Sequence, residues 1–165
     1  MASNPDITIH RIDPYASPET VQQILDLAMN VFDAMGRKRD HHSTIETWMN
    51  HLNVPKSFIL YATKPNSTEP IGFIFSFMRQ QPFYDSPTLQ HWVVVIAEIE
   101  RGKGVFRTLM VESEKHAREL GVETLGMACY PGKFKRMAEI LPKLEGWELL
   151  RWEDEGNKNR WIKPL

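Results

Sequence analysis

The sequence predicts an α/β protein of the α+β kind, with about seven strands and about four helices in a single domain over residues 1–165. Runs rich in β-branched and aromatic residues, bounded by Gly, Pro, Asn or Asp, are typical of strands. Between them lie segments whose apolar residues recur every three or four positions, as in amphipathic helices. Hydrophobic and charged contents of 42% and 25% are those of an ordinary globular protein.

The first two predicted elements are a strand and a helix. Residues 7–12 alternate between the two faces expected of a strand. Ser17 then supplies a capping hydroxyl, Pro18 suits a first helical turn, and Glu19 lies near the positive end of the helix dipole. Helical spacing of apolar residues continues as far as Gly36, which predicts the end of the helix.

A second helix and a hairpin follow. The segment from Ser43 to Glu46 has the form of a capping box and predicts a short helix over residues 43–52. Residues 57–63 and 71–78 are rich in β-forming side chains, and a turn-rich segment separates them. Two such runs joined in this way predict a β-hairpin.

The second half of the chain supplies the remaining elements. After a loop over residues 80–88, a β-branched run predicts a strand over residues 91–99, and a helix over residues 104–120 follows it. The last predicted elements are a strand over residues 123–130, a helix over 133–141, and strands over 147–152 and 160–163. The predicted order is therefore β-α-α-β-β-β-α-β-α-β-β.

The junction after the strand over residues 91–99 reads Arg101-Gly102-Lys103-Gly104. A strand that ends in glycines ahead of a helix directs several unpaired backbone N–H groups to one place, where the helix dipole adds positive charge. The junction therefore predicts a phosphate-binding loop, although ordinary strand-to-helix turns also contain glycine pairs. It is not a P-loop, because the residue spacing of that motif is missing. It is not a dinucleotide fingerprint either, because the third glycine of that motif is missing.

The segment resembles the coenzyme A pyrophosphate loop of the GNAT superfamily of acyl-CoA-dependent N-acyltransferases. The family signature is Gln/Arg-x-x-Gly-x-Gly/Ala, and this chain reads Arg101-x-x-Gly104-x-Phe106, with Ile96 at the apolar position five residues before the arginine. The predicted element order also matches that of the family. The resemblance implies the GNAT fold, with a central, mixed and mostly antiparallel sheet. Phe106 departs from the signature, since the family has a small residue there.

The resemblance also implies which residues bind acetyl-CoA as a co-substrate. The backbone of the strand is expected to hydrogen-bond the pantetheine arm, with the N–H of Ile96 donating to the thioester carbonyl. The N–H groups of the loop are expected to surround the pyrophosphate. The complete expected binding set is Val94, Val95, Ile96, Arg101, Gly102, Lys103, Gly104, Val105, Phe106 and Arg107.

Acyl transfer to an amine requires a base, because an amine with a pKa of about 10 attacks only after it loses a proton. His91, at the start of the strand, and Glu98 and Glu100, near its end, are the candidate bases. The alternative is that these residues have structural roles only, with His91 an edge or core histidine and the two glutamates solvated at the end of the strand.

Proton donation to the leaving sulfur is a second point of departure. Many family members carry a tyrosine for this purpose, and this chain has Pro142 at the matching position. Tyr130 and Cys129, at the end of the preceding strand, are candidate substitutes, with packing as the alternative role. Loss of a general acid costs on the order of 10²–10⁴ in rate, and a thiol that leaves as thiolate keeps the cost at the low end.

Composition argues against other classes of function. A net charge of -1 offers no attraction to nucleic acid or to acidic membranes, and no apolar run approaches the roughly 18 residues of a membrane span. The single cysteine, Cys129, and the lack of a signal peptide favour the cytoplasm, with the nucleus left open. His41 and His42 have no partner ligands nearby in sequence, so no metal is expected.

These observations favour an N-acetyltransferase that transfers an acetyl group from acetyl-CoA to a primary amine of a small molecule or a protein. The alternative is a weak or inactive module of the same fold that binds an acyl-CoA or a partner protein, which Phe106 and Pro142 would favour. The expected partners are acetyl-CoA and an unidentified amine, and a homodimer is left open. In the family, the first two helices and the loop over residues 80–90 select the acceptor, and neither segment has a recognisable motif.

Overall fold

A computed structural model of the chain describes residues 4, 6–36, 40, 43–79, 87–129, 135–153 and 158–165. The strands are β1 (Thr8–Ile12), β2 (Phe58–Thr63), β3 (Gly72–Arg79), β4 (Thr88–Ile96), β5 (Thr124–Cys129), β6 (Glu148–Glu153) and β7 (Lys158–Pro164). The helices are α1 (Pro18–Ala34), α2 (Ile45–Leu52), α3 (Val105–Glu119) and the six-residue α4 (Lys135–Ile140). The predicted class and element order are confirmed.

All seven strands form one sheet in the order β1-β2-β3-β4-β5-β7-β6. Every neighbouring pair is antiparallel except β4 and β5, which are parallel. Parallel neighbours need a crossover connection, and α3 provides it. The predicted mixed, mostly antiparallel sheet is therefore confirmed. Within the described residues, no helix is both long and apolar enough to cross a membrane.

Each face of the sheet has its own apolar core. On one face α1 and α2 pack against β1 to β4 around Trp48, Phe73 and Phe75, all fully buried. On the other face α3 and the turn after α4 pack against β2 to β5 and β7, around Leu109 and Leu141. Burial of one such side chain contributes about 1.5–3 kcal/mol, so the two cores hold the sheet and the helices together.

The ends of the first two helices follow from local sequence. The Ser17 hydroxyl accepts a hydrogen bond from the Thr20 N–H, as its predicted capping role requires. The capping box predicted from Ser43 is wrong, because Thr44 is the cap and accepts a hydrogen bond from the Thr47 N–H at 3.2 Å. Two adjacent hydroxyl residues satisfy the same local rule, and the structure uses the second.

The strand predicted over residues 91–99 is displaced by three residues, since β4 begins at Thr88 and ends at Ile96. The Ala97 N–H still bonds to the Ile71 carbonyl at 2.9 Å, and the chain then forms a 3-10 turn over Glu98–Glu100. The other predicted bounds agree with the structure to within about two residues. The loop over residues 80–86 and the start of the helix predicted from residue 133 lie outside the described residues.

Candidate functional site

The candidate site begins where β4 and β5 separate. Among the residues that the structure describes, the two strands pair at three positions only, Leu89 with Leu125, Gln90 with Gly126, and His91 with Met127. β4 then continues as far as Ile96 beside β3, and a register shift in the β3–β4 pairing leaves Trp92 as an extra residue. Such bulges bend a strand and end its pairing locally. The backbone of β4 beyond His91 therefore faces a gap instead of a neighbouring strand.

A cavity of about 1090 Å³ lies at this gap. Its lining comes from the end of α1, the end of β4, the loop before α3, and parts of α3, α4 and β7. All members of the expected binding set except Lys103 line it. The volume is slightly above the usual range for small-molecule sites, which suits a large, extended ligand.

The loop between β4 and α3 presents unpaired backbone donors to this cavity. Gly102 and Gly104 have φ angles of 79° and 87°, a left-handed region that glycine adopts without strain. The first N–H of this segment to bond within the helix is that of Thr108, to the Gly104 carbonyl at 3.0 Å. Among the described residues, no acceptor bonds to the N–H groups from Gly102 to Arg107. Hydrogen bonds of this kind to a charged ligand contribute roughly 1.5–3 kcal/mol each.

The end of β4 also directs backbone groups into the gap. The Ala97 N–H bonds towards β3, so the N–H and carbonyl of Ile96 point to the opposite side. In agreement, the Ile96 carbonyl accepts a hydrogen bond from Nε of Arg101 at 3.3 Å. The arginine therefore joins the loop to the strand end, and the Ile96 N–H faces the cavity.

Two charged groups outside the binding set hold the base of the loop. The Glu100 side chain is 6% exposed and lies 2.5 Å from Lys64 Nζ and 3.4 Å from Lys103 Nζ. The hydrogen bond from Lys64 holds the pKa of Glu100 below its usual value. The Lys103 ammonium is therefore directed to Glu100. Sequence reasoning missed Lys64, because no local signal connects a turn between β2 and β3 with this loop.

A residue near the N-terminus also contacts the loop. Asn4 donates a hydrogen bond from Nδ2 to the Lys103 carbonyl, and its backbone N–H donates to Oγ1 of Thr108, both at 3.3 Å. Phe106, partly buried, packs against the core beneath α3 while its backbone N–H stays unpaired. The large side chain therefore lies partly in the core as well as along the cavity.

His91 lies beside the point of strand separation but is enclosed by protein. It is 2% exposed, with Nδ1 at 2.6 Å from Ser76 Oγ, and Nε2 has no hydrogen-bond partner among the described residues. Burial lowers the pKa of His91 to about 3, and the charge of Glu114 opposes this only in part. An imidazole with such a pKa is a weak base, and His91 is absent from the described lining of the cavity.

The other predicted proton-transfer residues are not brought together. Glu98 is exposed on the 3-10 turn and does not line the cavity. Tyr130 lies outside the described residues, and so does the side chain of Cys129. Pro142 is exposed in the turn over Leu141–Lys143. Glu114, which sequence reasoning missed, lines the cavity and bonds to Lys163 Nζ at 2.6 Å and to Arg118 at 2.8 Å.

The chain matches the family described as Acetyltransferase (GNAT) family over residues 21–138, more than two thirds of its length. No curated protein matches it significantly. The PaiA N-acetyltransferase of Thermoplasma acidophilum, solved with coenzyme A, superposes with a TM-score of 0.71 at 13% identity, covering 96% of this chain and 99% of that one.

Two further solved structures have the same fold. The NatC complex bound to Gag peptide and CoA gives a TM-score of 0.71 at 17% identity, covering 97% of this chain and 99% of that one. An aminoglycoside acetyltransferase from an uncultured soil metagenomic sample, solved with sisomicin, gives 0.61 at 16% identity, covering 90% and 95%. At these identities the likeness concerns the fold alone.

Proposed function

Because the chain belongs to the acetyltransferase (GNAT) family, we propose that it transfers an acetyl group from acetyl-CoA to a primary amine of a small molecule or a protein. One observation carries the proposal: the N–H groups from Gly102 to Arg107 are unpaired and adjoin a cavity that opens where β4 and β5 separate. A diphosphate is the part of acetyl-CoA that such donors recognise.

The pantetheine arm of the donor is proposed to lie along β4. The backbone of β4 from Val94 to Ile96 lies along the gap, where a neighbouring strand would otherwise pair with it. The amides of a pantetheine arm are suited to bond with such a strand edge. Arg101 and Arg107 belong to the proposed binding set and add positive charge beside the loop.

The proposed reaction forms a bond from the amine nitrogen to the carbonyl carbon of the thioester and breaks the carbon–sulfur bond. The sulfur leaves as a thiolate and takes up a proton, while the nitrogen gives one up. The Ile96 N–H, which faces the cavity, is proposed to stabilise the charge on the carbonyl oxygen. Loss of one donor of this kind costs about 10²–10³ in rate.

Proton transfer is proposed to involve His91, Glu98 or Tyr130. His91 lies at the point of strand separation, and its pKa of about 3 means that it is neutral at pH 7. Because a pKa of about 3 makes His91 a weak base, His91→Gln should lower kcat by no more than about 10²-fold, the low end for a general base, while the affinity for CoA is kept. A kcat within twofold of the original would remove His91 from the proposal.

The acceptor is proposed to be an amine that reaches the cavity from the α1 side. The lining there consists of Val31, Phe32 and Met35 at the end of α1. Solved structures of this fold are bound to molecules as different as Gag peptide and sisomicin. A test panel should therefore contain both kinds of amine, namely peptides with free N-termini and sisomicin.

The decisive measurement is thiol release from acetyl-CoA across this panel, with acetylated products identified by mass spectrometry. We expect at least one amine to be acetylated, and Gly104→Glu to abolish the turnover. If CoA binds by calorimetry but no amine is acetylated, the alternative holds, namely a binding module without catalysis. Phe106 at the small-residue position and Pro142 at the tyrosine position favour that alternative. If CoA does not bind at all, the proposed enzyme fails, and of the alternative only a module that binds a partner protein is left.

A further inference from the structure

Glu100 is a buried carboxylate beside a loop that is suited to bind an anion. It lines the cavity, follows the exposed Glu98 on the same 3-10 turn, and is 6% exposed. A negative charge in this place repels a diphosphate. Buried carboxylates are rare unless they are paired, so a compensating structural role is expected.

The pairing of Glu100 connects two distant segments of the chain. Lys64, in the turn after β2, lies 2.5 Å from Oε1, and Lys103, in the loop itself, lies 3.4 Å from Oε2. Two ammonium groups and one carboxylate leave one net positive charge at the base of the loop. Lys64 does not line the cavity, so it can affect a ligand there only through Glu100 or through the electrostatic field.

We propose that Glu100 is a positioning residue for the diphosphate, an inference that rests on the proposed function. Anchored by Lys64, Glu100 holds the Lys103 side chain, and with it the conformation in which the N–H groups from Gly102 onward face the cavity. The two glycines leave the loop flexible in the absence of such contacts. A loop that is ordered before binding loses less conformational entropy when the ligand arrives.

Positioning and direct electrostatics give opposite expectations for Glu100→Gln. If the carboxylate acted only through its charge, its removal would strengthen diphosphate binding. If it positions the loop, its removal should raise the Kd for CoA about tenfold, the factor for one lost charge-assisted hydrogen bond. The sign of the change in Kd therefore distinguishes the two roles.

Calorimetric titration with CoA should compare the wild type with Glu100→Gln, Lys64→Met and the double variant. Because both groups act in one contact, the double variant should bind no more weakly than Glu100→Gln alone. Lys64→Arg keeps a cation and should retain the wild-type Kd. Glu69→Gln is the matched charge control, since Glu69 is exposed in the same turn region as Lys64.

Phosphorus NMR of bound CoA gives chemical shifts that a general loss of protein stability would not change. The diphosphate resonances should shift in Glu100→Gln and Lys64→Met, while the 3′-phosphate resonance of the same molecule stays in place. A Kd for Glu100→Gln equal to or below that of the wild type overturns the proposal. If Glu100→Gln does not fold, an unchanged Kd in Lys64→Met overturns it instead. If the wild type itself does not bind CoA, the proposed function is overturned as well. That outcome is distinguishable from the two above, in which the wild type binds CoA and only the Kd of a variant is at issue.

Discussion

At His91, burial determines how the protein responds to acid. Its ring is enclosed near Ser76 and Trp147, and Glu114 is the charged group that acts on it. The pKa is about 3 in the folded protein, against an ordinary value of 6.5. Below pH 6.5 the unfolded chain therefore binds a proton that the folded protein does not accept until about pH 3.

We predict that the free energy of unfolding decreases as the pH falls from 6.5 towards 3, and that His91 contributes up to about 1.4 kcal/mol per pH unit. The stabilisation is fully present above pH 6.5, because the folded pKa is the lower one. Urea unfolding between pH 7.5 and 5 measures this slope, in a range above most carboxyl pKa values. His91→Gln should flatten it, and a slope equal to that of the wild type would contradict the assignment.

A second prediction concerns Gly104, whose φ of 87° already disfavours a side chain. Gly104→Glu should cost about 1–2 kcal/mol in backbone strain and should abolish CoA binding, since it adds bulk and negative charge at the proposed diphosphate site. Gly121→Glu is the matched control. Gly121 has a φ of 73° with open space around it, and it lies just beyond the other end of α3.

Calorimetry and thermal unfolding of both variants separate binding from folding. The two should lose similar stability, while only Gly104→Glu loses CoA. Equal CoA affinities in the two variants would show that the loop does not bind the diphosphate.

Local sequence predicted some of these residues and could not predict others. The glycines of the loop were recognisable, because a positive φ and a helix start are local requirements. The partners of Glu100 and His91 were not, because Lys64 and Ser76 come from other strands and their turns. Sequence reasoning therefore predicted the glycine-rich turn and the helix that follows it, and it left the environment of the buried charges undetermined.

At the level of elements, α3 is fastened to β7 by an ion pair. Glu114 lies 2.6 Å from Lys163 Nζ, and the two side chains are only 25% and 16% exposed. Burial acts to raise the pKa of Glu114, but hydrogen bonds from Lys163 and Arg118 outweigh it and the pKa is lowered. The stabilisation is thus present above the ordinary glutamate pKa and is lost as the pH falls below it.

We predict that Glu114→Gln lowers the free energy of unfolding by roughly 1–3 kcal/mol at pH 7, because it leaves the largely buried Lys163 ammonium without its anion. Urea unfolding at pH 7 and at pH 3.5 is the measurement, and the difference between variant and wild type should shrink at the lower pH. Glu139→Gln, an exposed change on α4, serves as the control. Equal losses in both variants would mean that the ion pair contributes little.

The displacement of β4 shows why element ends are difficult to predict. Apolar residues continue past Ile96 as far as Ile99, so the pattern predicts a longer strand. Ile99 is 79% exposed in the structure, on the 3-10 turn after the strand. Just past the strand end, the Ala97 N–H bonds to the carbonyl of Ile71, the residue before β3, and a pattern of side chains does not contain that information.

At the level of the whole molecule, a ligand that binds only the folded chain must stabilise it. With CoA at about 100 times its Kd, the gain is about 2.7 kcal/mol, which corresponds to a rise in Tm of roughly 5–10 °C for a chain of this size. Differential scanning calorimetry with and without CoA tests this. Gly104→Glu should show no rise, and the absence of a rise in the wild type would contradict donor binding.

The short pairing of β4 with β5 has a last consequence, for the behaviour of the protein at high concentration. Within the part of the chain that the structure describes, no strand pairs with this edge of β4 beyond His91 or of β5 beyond Met127, so both edges are bare there. Bare edges are templates onto which another polypeptide can add, and they promote aggregation. Bound CoA would cover these edges. Solutions that contain CoA should therefore stay clear on heating longer than ligand-free solutions, because the ligand would reduce self-association.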